Sequence, residues 1–297
     1  MNSQLLIDDP SFVVSGRILP PQRNLTTDKC PLIVAVHGGG FTSQYFDIPG
    51  CSLLERAAAL GYGVVALDRL GHGNSRADGK VVQSLDANAE FISKAIDRLW
   101  PQFQKECSGV VLIGHSIGTA LVVMVAARPH SWPLAGVAVS GAGLTPNPAL
   151  NGYFAQFAAD AWIEVAAEEK DRLMFGHPGT FESEIVEMVH PAYAPIATRE
   201  LLEINNVWPQ NARALLKSLE VPVHYRLADQ EVLWISNSHE IEQLSDLVSG
   251  VGGSSAAIVT ETGHCIDFHK VGQQFQDEQL DFAQEVVSVG SRVKGLA

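Results

Sequence analysis

The residues best suited to chemistry lie in the segment Gly-His-Ser-Ile-Gly, residues 114–118. An apolar run precedes Ser116, and a second apolar run, residues 117–127, follows it. This order predicts a buried strand, a sharp turn and a helix, with the Ser116 hydroxyl beyond the end of a sheet. The glycines two residues before and after the serine avoid collisions with the neighbouring strand and helix. The segment therefore predicts a nucleophilic serine on a nucleophile elbow.

An activated serine needs a base, and the base needs an acid that orients it. Where the serine lies on such an elbow, the order along the chain is serine, acid, histidine. Of the ten histidines, His239, His264 and His269 follow both the serine and the loop in which we expect the acid. His239 is predicted to lie within a helix, and His269 to cap or pack one. His264 directly follows the last predicted strand, at the sheet end where catalytic groups gather, and is our candidate base.

The candidate acid lies in Ala-Asp-Gln-Glu, residues 228–231, immediately after a predicted strand. Both Asp229 and Glu231 carry a carboxylate that accepts a hydrogen bond from an imidazole N–H. Two adjacent buried charges would repel each other, so one of them is expected to face solvent or a backbone donor. These residues alone leave both carboxylates open as the acid.

Attack on a carbonyl group places negative charge on its oxygen, and each preorganised backbone N–H stabilises that charge by roughly 3 to 4 kcal/mol. One predicted donor is Ile117, directly after the serine at the positive end of its helix. The segment His-Gly-Gly-Gly-Phe, residues 37–41, follows another predicted strand, and its glycines allow close approach of a substrate. We expect the second donor at Gly39 or Gly40, with His37 bracing the loop.

Alternating strands and helices must position these groups. The predicted strands are 11–19, at an antiparallel edge, then 31–36, 63–67, 110–113, 135–139, 221–227 and 255–260. Segments with helical spacing are 52–60, 85–100, 235–248 and 272–287. The alternation indicates a mostly parallel sheet with helices on both faces. The alternation stops between residues 141 and 219, which contain helical segments but no convincing strand. This stretch is too long for a single crossover connection between two strands. We predict an α/β core formed by residues 1–140 and 220–297, with 141–219 inserted as a helical lid.

The composition is typical of one large α/β enzyme, with 297 residues, 46% hydrophobic and 18% charged. The net charge of −13 disfavours nucleic acid and anionic membrane surfaces as partners. No apolar run reaches the roughly 18 residues of a membrane span, and the N-terminal residues lack the pattern of a secretory signal. Four cysteines without metal-binding spacing predict free thiols in a cytoplasmic protein that needs no metal or cofactor. The sequence carries no signal for an oligomeric state.

The 37–40 loop, the loop from Asp68 to Ser75, the elbow and the Gly263–His264 segment together resemble the α/β-hydrolase superfamily. The resemblance is to its lid-bearing, lipase- and esterase-like members, and it covers nearly the whole chain except the lid. It implies the α/β-hydrolase fold. In that family the strand before the acid commonly ends in Gly-Glu-x-Asp, with the last residue catalytic. Laid onto residues 228–231, the pattern favours Glu231 over Asp229, although Ala228 and the glutamate itself depart from it.

The predicted lid is rich in aromatic residues, namely Tyr153, Phe154, Phe157, Trp162, Phe175, Phe181, Tyr193 and Trp208. They indicate either an apolar roof over a pocket for a hydrophobic small molecule or the small core of the lid itself. Our candidate pocket residues are Phe41, His115, Phe154 and Trp162.

These features predict a serine hydrolase that forms an acyl-enzyme on Ser116 from a small hydrophobic ester, thioester or lactone. A biosynthetic cyclase, acyl transferase or carbon–carbon bond-cleaving enzyme would use the same residues, and it is distinguished by failing to turn over simple esters. A ligand-binding receptor on the same fold is the third hypothesis, and it is distinguished by tight binding without turnover. An epoxide hydrolase or a haloalkane dehalogenase would carry Asp in place of Ser116.

Overall fold

The protein is described by a computed structural model that covers residues 3–22, 30–79, 82–150, 152, 158 and 160–294. Within these residues one large sheet contains nine strands: β1 (Ser3–Asp9), β2 (Phe12–Leu19), β3 (Cys30–Val36), β4 (Gly63–Leu67), β5 (Arg76–Ala77), β6 (Cys107–His115), β7 (Leu134–Ser140), β10 (Val223–Ala228) and β11 (Ser255–Val259). Two short strands, β8 (Trp162–Ile163) and β9 (Ile196–Ala197), form a separate antiparallel pair.

The α-helices of the same residues are α1 (Leu53–Ala59), α2 (Leu85–Phe103), α3 (Ile117–Ala126), α4 (Ala167–Met174), α5 (Ser183–Val189), α6 (Thr198–Asn206), α7 (Trp208–Ser218), α8 (Ser238–Val248) and α9 (Gly272–Lys294). Helices α1 and α9 contact the strands from one side of the sheet, whereas α3 packs on β6 and β7 and also contacts α2 and α7. Helices therefore cover the central strands, as parallel sheets require.

The strand order is β1-β2-β4-β3-β6-β7-β10-β11, with β5 paired to β2. Strands β4, β3, β6, β7, β10 and β11 pair in parallel with one another in this order. The pairs β1–β2, β2–β4 and β2–β5 are antiparallel. Strand β3 is buried along its whole length, and β6 along nearly all of it, because their apolar runs face helices on both sides. The carboxyl ends of β3, β6, β10 and β11 meet at one edge, which brings together the loops singled out in the sequence.

The predicted α/β-hydrolase fold is confirmed, and the structure differs from the expected elements at a few positions. Strand β2 is not the edge strand, because β1 pairs outside it in a hairpin. Helix α2 continues through Pro101, since buried Phe103 anchors the last turn. Helix α8 begins at Ser238 rather than residue 235, because the Asn237 side chain accepts a hydrogen bond from the Glu240 N–H and caps the helix there.

Residues 141–219 follow β7 and precede β10, and the described part of this range contains helices α4–α7. They also contain β8 and β9, two paired strands of two residues each, which the sequence did not predict. Such a short pair leaves too few residues for a recognisable alternating pattern.

Candidate active site

Ser116 lies at a sharp corner between β6 and α3. Its backbone has φ 56° and ψ −120°, a conformation that residues other than glycine rarely adopt. The flanking glycines allow this corner, because a Cβ atom at Gly118 would lie 2.1 Å from the Val36 oxygen and one at Gly114 would lie 2.5 Å from the Gly118 oxygen. The strained corner presents the serine at the end of the sheet, as an elbow requires.

The N–H groups beside Ser116 are available to a ligand. Ile117 is the first residue of α3, so its N–H has no partner within the helix. In the part of the chain that the structure describes, the N–H groups of Ile117, Gly39 and Gly40 donate no hydrogen bond to protein. Gly39 approaches closely enough that a Cβ there would lie 2.8 Å from the Ile117 side chain. The two segments predicted to supply oxyanion donors therefore lie side by side.

The carbonyl groups of the 38–40 loop accept hydrogen bonds from side chains of other segments. Arg69 donates to the Gly38 oxygen at 3.2 Å, and Lys170 donates to the Gly40 oxygen at 2.9 Å. His37, predicted to brace this loop, donates from Nδ1 to the same Gly38 oxygen at 2.9 Å. Burial, followed by the nearby Arg69 charge, holds the pKa of His37 well below its usual range, so this imidazole is neutral.

His264 pairs with Glu231 and not with Asp229. The His264 Nδ1 and the Glu231 Oε2 are 2.8 Å apart, and both side chains are almost fully buried. The other oxygen of Glu231 accepts the Leu233 N–H at 2.9 Å, which fixes the carboxylate. The hydrogen bond at Nδ1 leaves His264 Nε2 as the nitrogen available for proton transfer.

Asp229 instead organises the backbone that carries His264. Its two oxygens accept the N–H groups of Glu261 and Thr262, each at 3.0 Å. Glu261 has φ 60°, so this anchoring supports a strained turn. One of the two competing carboxylates thus faces backbone donors, as the repulsion argument expected.

His269 links the same loop to residues 141–219. Its Nε2 accepts the N–H groups of Gly263 at 2.8 Å and Gly176 at 3.0 Å, while its Nδ1 donates to the Cys265 carbonyl at 2.9 Å. Accepting at one nitrogen and donating at the other requires a neutral ring, and burial lowers the pKa of His269. His269 was expected to cap or pack the next helix, and in the structure it holds the base loop against the Gly176 backbone.

Two of the candidate pocket residues are packing residues in the structure. The His115 ring stacks on Tyr45 with centroids 4.7 Å apart, and it contacts the His264 ring at 4.8 Å. The Phe41 ring lies edge-on between Tyr45 and Tyr193. Both candidates are at most 1% exposed and support the site from behind. The direction of these rings depends on neighbours distant in sequence.

Trp162 lies away from Ser116, and Phe154 lies outside the described residues. The Trp162 side chain is 43% exposed, and its ring contacts His72 with centroids 5.4 Å apart. It does not belong to the described lining of the cavity beside the serine. Its position is set by the β8–β9 pair, which turns the tryptophan toward the loop after β4.

A cavity of about 80 Å³ lies beside Ser116. Its described lining is mostly aliphatic and comes from several segments, among them the 38–40 loop, the start of α3, and helices α4 and α6. The lining includes Gly39, Ile117, Val165, Leu173, Ile196, Leu201 and Trp234. Lys170 is also part of the lining. The cavity is small and mostly apolar, and its described lining includes one cation, Lys170, and one carboxylate, Glu169.

Sequence reasoning missed Lys170 and the ion pair between Arg69 and Glu200. Lys170 is only 4% exposed, and burial lowers its pKa to about 8. Both side chains of the Arg69–Glu200 pair are fully buried, and burial raises the pKa of Glu200 even though the nearby Arg69 opposes that shift. No local signal identifies them, because Lys170 lies in the polar sequence Glu-Glu-Lys-Asp and reads as a solvent-exposed helical residue.

In the described ranges no cluster of three His, Cys, Asp or Glu side chains has the arrangement of a metal site. The helices of these ranges also include none with the length and apolar character needed to cross a bilayer.

The fold and the corner serine define an α/β hydrolase, and comparison with known proteins agrees. The sequence model of the alpha/beta hydrolase family matches residues 33–271, so the chain belongs to this family. The expected resemblance to α/β hydrolases is thereby confirmed. No curated protein matches the sequence significantly.

Solved structures of hydrolases share the fold. Monoglyceride lipase from Saccharomyces cerevisiae, in complex with a substrate analog, has a TM-score of 0.73 at 13% identity, over 96% of this chain and 95% of that chain. Carboxylesterase CesB from Bacillus subtilis has a TM-score of 0.69 at 19% identity, over 95% and 91% of the two chains. N-acyl homoserine lactonase AidH, complexed with N-butanoyl homoserine, has a TM-score of 0.66 at 17% identity, over 96% and 97%. At such identities the likeness shows the fold alone.

Proposed function

We propose that the protein is a serine hydrolase that cleaves a small hydrophobic ester, thioester or lactone. One arrangement of catalytic groups supports this function. A serine at a strained corner shares a cavity wall with the free N–H groups of Gly39 and Ile117, and a buried His264–Glu231 pair lies at the same edge of the sheet. Nucleophile, base, acid and oxyanion donors are the parts that acyl transfer requires.

In the proposed reaction the Ser116 oxygen attacks the substrate carbonyl carbon, and His264 Nε2 takes the hydroxyl proton. Glu231, bonded to Nδ1, stabilises the imidazolium that forms. The N–H groups of Ile117 and of Gly39 or Gly40 bind the developing oxyanion. His264 then protonates the leaving group, and it later activates the water that releases the acyl group from Ser116.

The cavity supports a small apolar acyl group. Its volume of about 80 Å³ and its aliphatic lining favour a short chain over a long fatty acyl group. Residues 141–219 contribute much of that lining through α4 and α6, and we propose that they act as the lid of the site. The four cysteines are free, which supports our placement of the protein in the reducing cytoplasm.

A fluorophosphonate probe and a series of p-nitrophenyl esters of increasing chain length test the proposal. We expect the probe to label the wild-type chain on Ser116 and esters with short acyl chains to turn over. Ser116→Ala should abolish labelling and lower kcat by at least about 10³-fold, because the nucleophile is lost while the fold remains. Absence of both labelling and turnover in the folded wild-type protein, with an active serine esterase as the control, would refute the proposal.

A further inference from the structure

Lys170 is a buried cation in the wall of the candidate site. It lies on α4 and is 4% exposed. Its ammonium group donates to the carbonyl oxygens of Gly40 at 2.9 Å and Ala194 at 3.2 Å, and it lies 4.2 Å from the centre of the Tyr193 ring. Carbonyl oxygens and an aromatic face solvate an ammonium group, but neither carries the charge that would neutralise it.

Within the described ranges no carboxylate pairs with Lys170. Of the two cations that bind the 38–40 loop, only Arg69 has a described carboxylate at ion-pair distance, Glu200. The neighbouring carboxylate of Asp171 is taken by the Tyr193 hydroxyl and by His190. Burying a charge without a counter-ion is costly, so a negative charge that develops near Lys170 during the reaction would stabilise it.

The two cations Lys170 and Arg69, here named the cationic clamp, bind alternate carbonyl groups of the oxyanion loop. Arg69 holds the Gly38 oxygen and Lys170 the Gly40 oxygen. In a trans peptide the N–H of the next residue points opposite to the carbonyl. The clamp therefore directs the N–H groups of Gly39 and Phe41 away from the cations, and neither donates to a described protein acceptor.

Each cation also polarises the peptide whose carbonyl it binds, so Arg69 strengthens the Gly39 N–H as a donor and Lys170 strengthens the Phe41 N–H beside it. The Lys170 charge lies in the lining of the cavity that Ser116 and Gly39 share. In the proposed reaction the group that gains negative charge in this cavity is the substrate carbonyl oxygen.

We propose that Lys170 is a positioning residue of the oxyanion hole: it holds the 38–40 loop by the Gly40 carbonyl, and its charge stabilises the transition-state oxyanion across the cavity whose lining includes Lys170, Gly39 and Ser116. The inference rests on the proposed function. Because Lys170 lies on α4, it makes the oxyanion hole depend on residues 141–219 as well as on the core. Arg69, whose charge is already paired with Glu200, serves the loop without this electrostatic role.

The proposal predicts a particular pH dependence. Among the described residues, the charges that act on Lys170 are Asp171 and Glu164 from its own segment and Cys265 from the base loop. The Tyr193 and Phe41 rings lie near the ammonium, and Glu169 lines the same cavity. The acidic neighbours favour the charged ammonium, but burial outweighs them and lowers the pKa to about 8. As the pH rises through about 8, Lys170 loses its proton and the oxyanion loses the stabilisation from that charge, so kcat should fall.

The test measures kcat and KM for a neutral short-chain p-nitrophenyl ester between pH 6 and 9.5. Lys170→Met removes the charge but keeps a side chain of similar length, and it should lower kcat at pH 7 by roughly 10- to 100-fold with little change in KM. It should also remove the fall in kcat above about pH 8. Lys170→Arg keeps a charge that does not titrate in this range and should shift the fall out of the measured range. Lys217→Met, on the exposed side of α7, is the matched control and should behave as wild type.

If Lys170 had only a structural role, Lys170→Met would have a lower melting temperature, and its kcat would still fall above about pH 8. That result, or a kcat within twofold of wild type in the folded variant, would overturn the inference while leaving the proposed function intact. A wild-type chain that neither hydrolyses esters nor reacts with a fluorophosphonate would refute the proposed function, and the inference with it. If Lys170→Met does not fold, the pH dependence of kcat for Lys170→Arg provides the test. A fall in kcat at the same pH as in the wild type would then overturn the inference.

Discussion

Replacing Glu231 by Gln should disable catalysis while leaving the fold intact. The Glu231 carboxylate lies 2.8 Å from His264 Nδ1 and is fully buried, so it faces the imidazolium that forms when Ser116 gives up its proton. Two unit charges about 4 Å apart interact by about 4 kcal/mol at an effective dielectric constant near 20. Losing that interaction in the transition state corresponds to about 10³-fold in kcat. A glutamine NH₂ turned toward Nδ1 would also favour the wrong tautomer of His264 and increase the loss.

The matched variant is Asp229→Asn, which changes the other carboxylate of the same loop. Asp229 accepts two backbone N–H groups, and asparagine retains an oxygen for one of them. We expect a lower melting temperature and less than a tenfold loss of kcat, because Asp229 acts on the backbone that carries His264 and not on its ring. Steady-state hydrolysis of a short-chain ester and thermal melts followed by circular dichroism measure both effects.

The opposite ranking of the two variants would refute the reasoning. If Asp229→Asn lost activity by about 10³-fold at an unchanged melting temperature while Glu231→Gln stayed active, Asp229 would be the acid of the working enzyme. The hydrogen bond between His264 and Glu231 would then belong to a resting arrangement only.

Three further predictions concern packing, charge and thiols. Gly118→Ala should lower the melting temperature by more than about 10 °C, because the new Cβ would lie 2.1 Å from the Val36 oxygen, and an unchanged melt would contradict the tight elbow. Arg69→Met should lower the free energy of unfolding in urea by about 3 to 5 kcal/mol at pH 7, since Glu200 is left buried without its partner. The raised pKa of Glu200 makes that loss smaller at pH 5, where protonation removes the unpaired charge, so a loss that does not depend on pH would contradict the argument. Under native conditions Cys51 should react first with a thiol reagent, because the other three cysteines are buried, and rapid native labelling of more than one thiol would contradict this assignment.

The parts of the site encoded within a few consecutive residues were predictable from the sequence. Ser116 lies between two apolar runs with glycines at fixed spacing, and sterics alone restrict such a segment to a strand, a tight corner and a helix. His264 and the glycine loop after β3 also follow buried strands directly. Because parallel strands end at one edge of the sheet, local patterns predicted that these residues would meet.

The tertiary structure decided which of two neighbouring carboxylates lies against the base. Asp229 and Glu231 are equivalent by residue type and differ by two positions. The path of the chain after β10 places Asp229 under the N–H groups of residues 261 and 262, and only Glu231 then reaches His264. That path depends on packing between segments about thirty residues apart, which no local pattern records.

Local sequence patterns also did not predict which residues line the cavity. Trp162 looked like a pocket residue because it is large and apolar, but the β8–β9 pairing turns it toward His72. Lys170 looked like a solvent-exposed helical residue, yet α4 packs so that its ammonium reaches the Gly40 carbonyl. Sequence predicted the corner serine, the position of His264 at the same sheet edge and the fold, since these follow from short-range sterics and strand order. Tertiary packing decided the partner of His264, the cavity lining and the buried charge at the oxyanion loop, because each is a contact between segments that are remote in the chain.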